Sequence, residues 1–207
     1  MPTLYHSPHT RSSRIISQLM LTGKLDEVTI VIVDVVKGDG TGGRDDKNPH
    51  PEGKVPFLVT DEGAHIRESA AIMMYLDELH GSTLSVAAGT PERGTFLSWM
   101  MYYGGVLEPA MVAQFAKIDD PMFAKTFRTM AEVSVCLHDA LGDRAFLTGD
   151  KLTIADIIMA SAFQWAPHLV PDFDTVKAWL ARVDAAQDSA ALAAFEAQAV
   201  AQLSGPA

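Results

Sequence analysis

Gly53–Ser69 reads GKVPFLVTDEGAHIRES, and its punctuation decides the fold. Pro56 has no backbone N–H, so beside the apolar run that follows it belongs at a strand edge or a strand start. Val55–Thr60 is β-prone and reads as a strand, Asp61-Glu62-Gly63 as a hairpin turn, and Ala64–Arg67 as a short partner strand. Glu68-Ser69 then opens a helix whose Ile72, Met73, Leu76 and Leu79 recur at helical spacing. The stretch therefore builds a β-β-α unit.

Upstream, Thr3–His6 reads as a short strand and Ser7-Pro8-His9 as a turn. A helix follows with Ile15, Ile16, Leu19 and Met20 on one face, and Gly23 stops it. Val28–Val36 (VTIVIVDVV) is almost continuously β-branched, the pattern of a strand buried on both faces. The next segment, KGDGTGGRDDKNPHPEG, has turn residues and no periodicity, so it is a long loop of the kind that borders sites. Residues 1–80 thus run β-α-β, loop, β-β-α.

At about 81–90 small and polar residues interrupt the pattern, which marks a linker before Pro91-Glu92 begins a helix with Thr90 as its N-cap. From 91 to 207 helices are expected throughout. One runs from Phe96 to Phe115, one from Met122 to Leu141, a third from Thr153, a fourth over Phe173–Val183, and the fifth is the Ala-rich tail from Ser189. Thr153 and Asp156 have capping-box spacing, and a buried helix-start clamp is the reading of that pair.

Composition excludes several classes. The 207 residues suffice for two modest domains, 48% are apolar, and no apolar run approaches the ~18 needed to span a bilayer. A formal net charge of -10 argues against a nucleic-acid partner. Cys136 stands alone, so no intramolecular disulfide is possible; among Val133, Val135 and Leu137 it reads as a small buried hydrophobe. The first residues lack the pattern of a secretory signal, and a cytoplasmic location fits. The histidines show no metal-ligand spacing, so no metal is expected. Gly38–Gly43 lacks the helix that a phosphate loop needs.

Four motifs in this order resemble the glutathione transferase family. They are Ser7-Pro8-His9-Thr10-Arg11, Asn48-Pro49-His50-Pro51-Glu52-Gly53-Lys54-Val55-Pro56, Arg67-Glu68-Ser69-Ala70-Ala71-Ile72, and Thr153-Ile154-Ala155-Asp156-Ile157. The resemblance covers essentially the whole chain. It implies an α/β thioredoxin-like N-terminal domain over 1–80, a linker at 81–90, and an all-α C-terminal helical bundle domain over 91–207. It also implies that glutathione is the cosubstrate, that a small hydrophobic electrophile is the acceptor, and that the protein is a cytoplasmic homodimer acting in detoxification.

By the same resemblance the Val55-Pro56 bond is cis, and the Val55 backbone pairs with the cysteinyl backbone of glutathione. X-Pro bonds alone tolerate that isomer at ~0.5–1 kcal/mol. Ser69, at a helix start, would hold the γ-glutamyl carboxylate, where free amides and the helix dipole favour an anion. Glu68 would neutralise the ligand ammonium, and Lys54 would reach the glycyl carboxylate. Read alone, Glu68-Ser69 is a capping pair and Lys54 a solvated loop residue.

The chemistry requires a thiolate, yet a thiol with pKa near ~8.5 is only a few per cent ionised at neutral pH. A hydroxyl near the start of the first helix lowers that value by hydrogen-bonding the anion. Ser7 is the first candidate, Thr10 the second and Ser12 the third; Ser7 also reads as a turn residue before Pro8. No cysteine stands in this motif. In the helical half, Tyr103 and Met111 are candidates for the electrophile pocket, although an aromatic and Met stripe at helical spacing is more often core than site. A glutathione-dependent isomerase or peroxidase, or a non-catalytic ligand-binding protein on the same fold, are the rival functions.

Overall fold

The computed structural model describes residues 1–204. Two compact units emerge: one combines Met1–His80 with the chain from Gln187 onward, and the other spans Gly81–Ala186. In chain order the elements are β1 (Thr3–His6), α1 (Ser13–Leu21), β2 (Thr29–Ile32), β3 (Phe57–Val59), β4 (His65–Ile66), α2 (Ser69–Leu79), α3 (Arg93–Tyr102), α4 (Glu108–Phe115), α5 (Pro121–Thr126), α6 (Met130–Leu141), α7 (Ile154–Trp165), α8 (Asp174–Ala186) and α9 (Ser189–Ser204).

The first unit is a four-stranded mixed sheet in the order β2-β1-β3-β4, the thioredoxin-like arrangement. β1 runs parallel to β2 and antiparallel to β3, and β3 runs antiparallel to β4. Leu4, Phe57 and Leu58 of the sheet are fully buried, as are Ile15 and Ile16 of α1 and Ile72, Met73 and Leu76 of α2. Each such side chain contributes about 1.5–3 kcal/mol. The Gln18 side chain ties α1 to α2 by donating to the Met73 carbonyl at 2.9 Å. Leu79, expected on the same stripe, is half-exposed at the helix end.

Two expectations change here. The Val28–Val36 run forms a strand only over Thr29–Ile32, and its side chains are half-buried or exposed, because β2 is an edge strand with β1 as its single neighbour. The tail helix, read with the helical half, packs instead against α1 and β2 of the first unit. Its inward side carries Phe195, edge-on to the His6 ring at 5.6 Å, and the buried Glu196 and Ala199. The last three residues of the expected span 91–207 lie outside the described residues.

The second unit is helical. The stretch read as one helix from Phe96 to Phe115 divides into α3, a π-type turn over Tyr103–Leu107, and α4. Gly104 and Gly105 weaken the ladder and Pro109 supplies no N–H, which favours the wider turn. Met122–Leu141 likewise divides, because Thr129 and Glu132 build a capping box that restarts the chain as α6. At the start of α7 the buried Asp156 carboxylate accepts from the Thr153 N–H and hydroxyl, both at 2.9 Å, from the Leu147 N–H at 2.8 Å and from the Trp179 indole at 2.9 Å. Burial pushes its pKa up against these donors, which pull it down. Cys136 is half-buried rather than buried, since on α6 it turns aside from the stripe made by Val133 and Leu137.

Candidate functional site

Strand register gathers the motifs. Tyr5 lies opposite Phe57 and Leu58 opposite Ile66, so the C-terminal end of β1, the N-terminal end of β3 and the C-terminal end of β4 meet at one end of the sheet. Ser7–Ser12, Val55-Pro56 and Glu68-Ser69 all continue from that end.

After β1 the chain turns through His9, whose φ of 58° is left-handed, into α1. The Thr10 hydroxyl donates to the Ser7 carbonyl at 2.7 Å and lies 2.8 Å from Ser12 Oγ. Ser12 Oγ in turn accepts the Ser7 N–H at 3.2 Å and sits 2.8 Å from His6 Nδ1. Ser7 and Ser12 are fully buried, whereas Thr10 is half-buried. Ser7 Oγ has no hydrogen-bond partner among the described residues. From α9, Glu196 Oε1 approaches His6 Nε2 to 3.6 Å and Oε2 accepts the His9 N–H at 2.7 Å. Burial works to raise the Glu196 carboxyl, but the His6 ring, the Ser13 hydroxyl and the His9 amide outweigh it and hold the group below its ordinary value.

Across the sheet end, the Val55-Pro56 bond is cis. The turn before it is braced from within: the Asn48 amide donates to the Lys54 carbonyl at 3.1 Å, and its oxygen accepts the His50 N–H at 3.0 Å. His50 Nδ1 accepts the Glu52 N–H at 3.0 Å, and the ring packs edge-on against Phe57 at 5.1 Å. Burial lowers the His50 pKa, which suits a ring nitrogen used as an acceptor. No hydrogen bond within the described residues engages the Val55 N–H or C=O.

Glu68 precedes α2 with φ 70° and ψ 126°, a conformation that costs a non-glycine residue about 1–3 kcal/mol and is concentrated at functional sites. It is exposed, as is Lys54, while Pro56 and Ser69 are buried and Val55 is half-buried. The Ser69 side chain makes no hydrogen bond within the described residues, and its amide is one of the four that a helix start leaves unpaired. An exposed pair of Arg67 and Glu52 at 3.8 Å adds little.

Tyr103 and Met111 belong to the second unit, and both are buried. The exposed aromatic surface there is made by Phe115 and Trp165, packed edge-on at 5.2 Å. Among the described residues no helix is long and apolar enough to cross a membrane, and no cluster of metal-ligating side chains occurs. Sequence reading missed Glu196 altogether and treated His6 as one of several scattered histidines. A lone carboxylate in an alanine-rich helix was the available signal, and only tertiary packing gives it meaning.

Comparison with known proteins gives the same family at both ends of the chain. The profile described as "Glutathione S-transferase, N-terminal domain" matches residues 3–84, and that described as "Glutathione S-transferase, C-terminal domain" matches residues 100–186. A glutathione S-transferase of Escherichia coli is 27% identical over 165 residues, which is 79% of this chain and 81% of that protein. The solved structure of a sphingomonad glutathione S-transferase complexed with glutathione superposes with a TM-score of 0.72 at 25% identity, covering 94% of this chain and 98% of the other. Elongation factor 1-gamma of Trypanosoma cruzi is 31% identical over 122 residues, 58% of this chain but only 29% of that protein.

Proposed function

We propose that this chain, which belongs to the glutathione S-transferase family, binds glutathione at the sheet end of its first unit and transfers its thiolate to an electrophilic carbon. The observation that carries the reading is the register, which brings a half-buried hydroxyl at the foot of α1, an unpaired backbone edge at Val55 and the start of α2 to one end of the sheet.

Each group then has a chemical part. The Val55 N–H and C=O offer an antiparallel pairing to the cysteinyl residue of the tripeptide. Ser69, with the free amides of α2, holds the γ-glutamyl carboxylate. Glu68 faces the ammonium beside it, and Lys54 supplies a point charge for the glycyl carboxylate. Exposure favours Thr10 over Ser7 as the hydroxyl that meets the sulfur, because Ser7 is sealed from solvent; Ser12, also sealed, stands behind Thr10. Its O–H swings from the Ser7 carbonyl to the sulfur, and the bound thiol loses its proton to solvent at lower pH than in water. The thiolate forms the new S–C bond while the leaving group departs with its electron pair, or, in addition, the acceptor carbon's neighbour takes the pair and then a proton. The acceptor is a small hydrophobic electrophile; Tyr103 and Met111, the candidates for its pocket, are both buried and would meet it only with a local opening of their packing.

Retention on immobilised glutathione followed by turnover of chlorodinitrobenzene tests the proposal. Retention with turnover supports it, and failure to bind refutes it. The match to elongation factor 1-gamma favours a second reading, a ligand-binding module without turnover, which binding alone would identify. A glutathione-dependent isomerase or peroxidase would use the same thiolate on another acceptor. A cytoplasmic homodimer acting in detoxification goes with the family reading, and sedimentation and cell fractionation test it.

A further inference from the structure

Helix α9 brings a carboxylate to the chain of hydroxyls behind Thr10. Three contacts link that chain: Thr10 Oγ1 to the Ser7 carbonyl at 2.7 Å, Thr10 Oγ1 to Ser12 Oγ at 2.8 Å, and Ser12 Oγ to His6 Nδ1 at 2.8 Å. Each requires a hydrogen between its two atoms. The two hydroxyls supply two, and the Ser7 carbonyl has none to give, so the third sits on His6 Nδ1. A longer contact from Ser12 Oγ to the Ser7 carbonyl, 3.2 Å, does not relieve the shortage.

The other ring nitrogen faces Glu196, whose Oε1 is 3.6 Å from His6 Nε2 with both side chains buried. A bare Nε2 would aim its lone pair at that carboxylate, and in a buried place the repulsion goes unscreened. A proton on Nε2 turns the contact into an attraction. Ser12 then accepts from His6 and donates to Thr10, and the Ser12 N–H reaches Thr10 Oγ1 at 3.3 Å. With its lone pairs used, Thr10 has only its own hydrogen left to offer.

We propose that His6, protonated on both ring nitrogens, and Glu196 form a buried ion pair that fixes the direction of the Ser12–Thr10 hydroxyl chain, making Glu196 a positioning residue for the thiolate. This rests on the reading that Thr10 meets the glutathione sulfur. His9, exposed, also faces the carboxylate, with Nδ1 3.9 Å from Glu196 Oε2.

Two measurements on the full chain test the pair and its consequence separately. In ligand-free protein at neutral pH, the ring nitrogen chemical shifts of His6 should report two N–H groups, and one in Glu196→Gln; a singly protonated ring in the unsubstituted protein overturns the proposal. In the glutathione complex, Glu196→Gln and Ser12→Ala should each raise the midpoint of thiolate absorbance by about half to one pH unit. Because both act through one chain, the double variant should shift no further than either alone. Unchanged midpoints, or shifts that add fully, overturn the positioning role. Should Glu196→Gln fail to fold by circular dichroism, Ser12→Ala and the native ring shifts still decide the matter. If the unsubstituted protein binds no glutathione, the site reading fails and the positioning role fails with it, an outcome distinct from an altered ring charge.

Discussion

Replacing Thr10 with valine keeps the volume and branching of the side chain and removes one oxygen. In the free protein that oxygen bonds the Ser7 carbonyl at 2.7 Å and Ser12 Oγ at 2.8 Å. In the proposed complex its hydrogen would be offered to the sulfur anion, and a hydrogen bond to a charged group is worth about 1.5–3 kcal/mol. One pH unit corresponds to about 1.36 kcal/mol, so the bound thiol should titrate about one to two units higher in Thr10→Val. The assay is the ultraviolet absorbance of bound thiolate followed across pH, with the second-order rate toward chlorodinitrobenzene measured in parallel. Affinity for glutathione should change little, since the peptide and carboxylate contacts lie elsewhere. At neutral pH the rate should fall about tenfold or more, in step with the thiolate fraction. Ser7→Ala should leave the midpoint where it was, because Ser7 Oγ is fully buried. An unshifted midpoint in Thr10→Val, above all with a shift in Ser7→Ala, would refute the assignment.

Three other outcomes follow from the same geometry. Ser69→Ala should weaken glutathione binding by about 5- to 30-fold, from the loss of about 1–2 kcal/mol of carboxylate hydrogen bonding, and calorimetry giving an unchanged affinity would contradict the role. Asp156→Ala strands the Leu147, Thr153 and Trp179 donors in the core. It should lower unfolding free energy by about 3–5 kcal/mol in denaturant titration, and a loss below about 1 kcal/mol would show those donors finding other partners. Glu196 titrates below its ordinary 4.5 when folded, so it binds fewer protons folded than unfolded. Its contribution to stability is therefore complete above about pH 4.5 and disappears as pH falls through the lower folded value. The denaturant midpoints of the unsubstituted protein and Glu196→Gln should draw together on acidification below that point.

Much of this is legible in the amino-acid sequence alone. The Pro56 strand start, the Gly63 turn and the Ile72, Met73 and Leu76 stripe depend on neighbours in sequence, and local physical chemistry decides them. The capping pair at Thr153 and Asp156 is equally local. What escaped depends on position in three dimensions. The β-branched run after Val28 looks the same whether a strand is central or at an edge, and the sheet order puts β2 at the edge. Helix α9 has no mark that assigns it to the first unit, because an alanine-rich pattern fits many surfaces. The glycine pair in the predicted Phe96–Phe115 helix was visible, but its outcome as a π-type turn rather than a break depends on packing. At the site, the motif put Ser7 ahead of Thr10 and Ser12 from sequence position alone. Exposure favours Thr10 instead, and the His6–Glu196 contact, 187 residues of chain removed from the nearby His9 turn, was beyond any local reading.

The most direct test is the structure of the protein with glutathione bound. The account predicts the sulfur within hydrogen-bond distance of Thr10 Oγ1, the cysteinyl backbone paired with the Val55 N–H and C=O, and the γ-glutamyl carboxylate on Ser69 and the first amides of α2. Glutathione bound away from the end of the sheet where β1, β3 and β4 meet, or with its sulfur turned from Thr10, would contradict it.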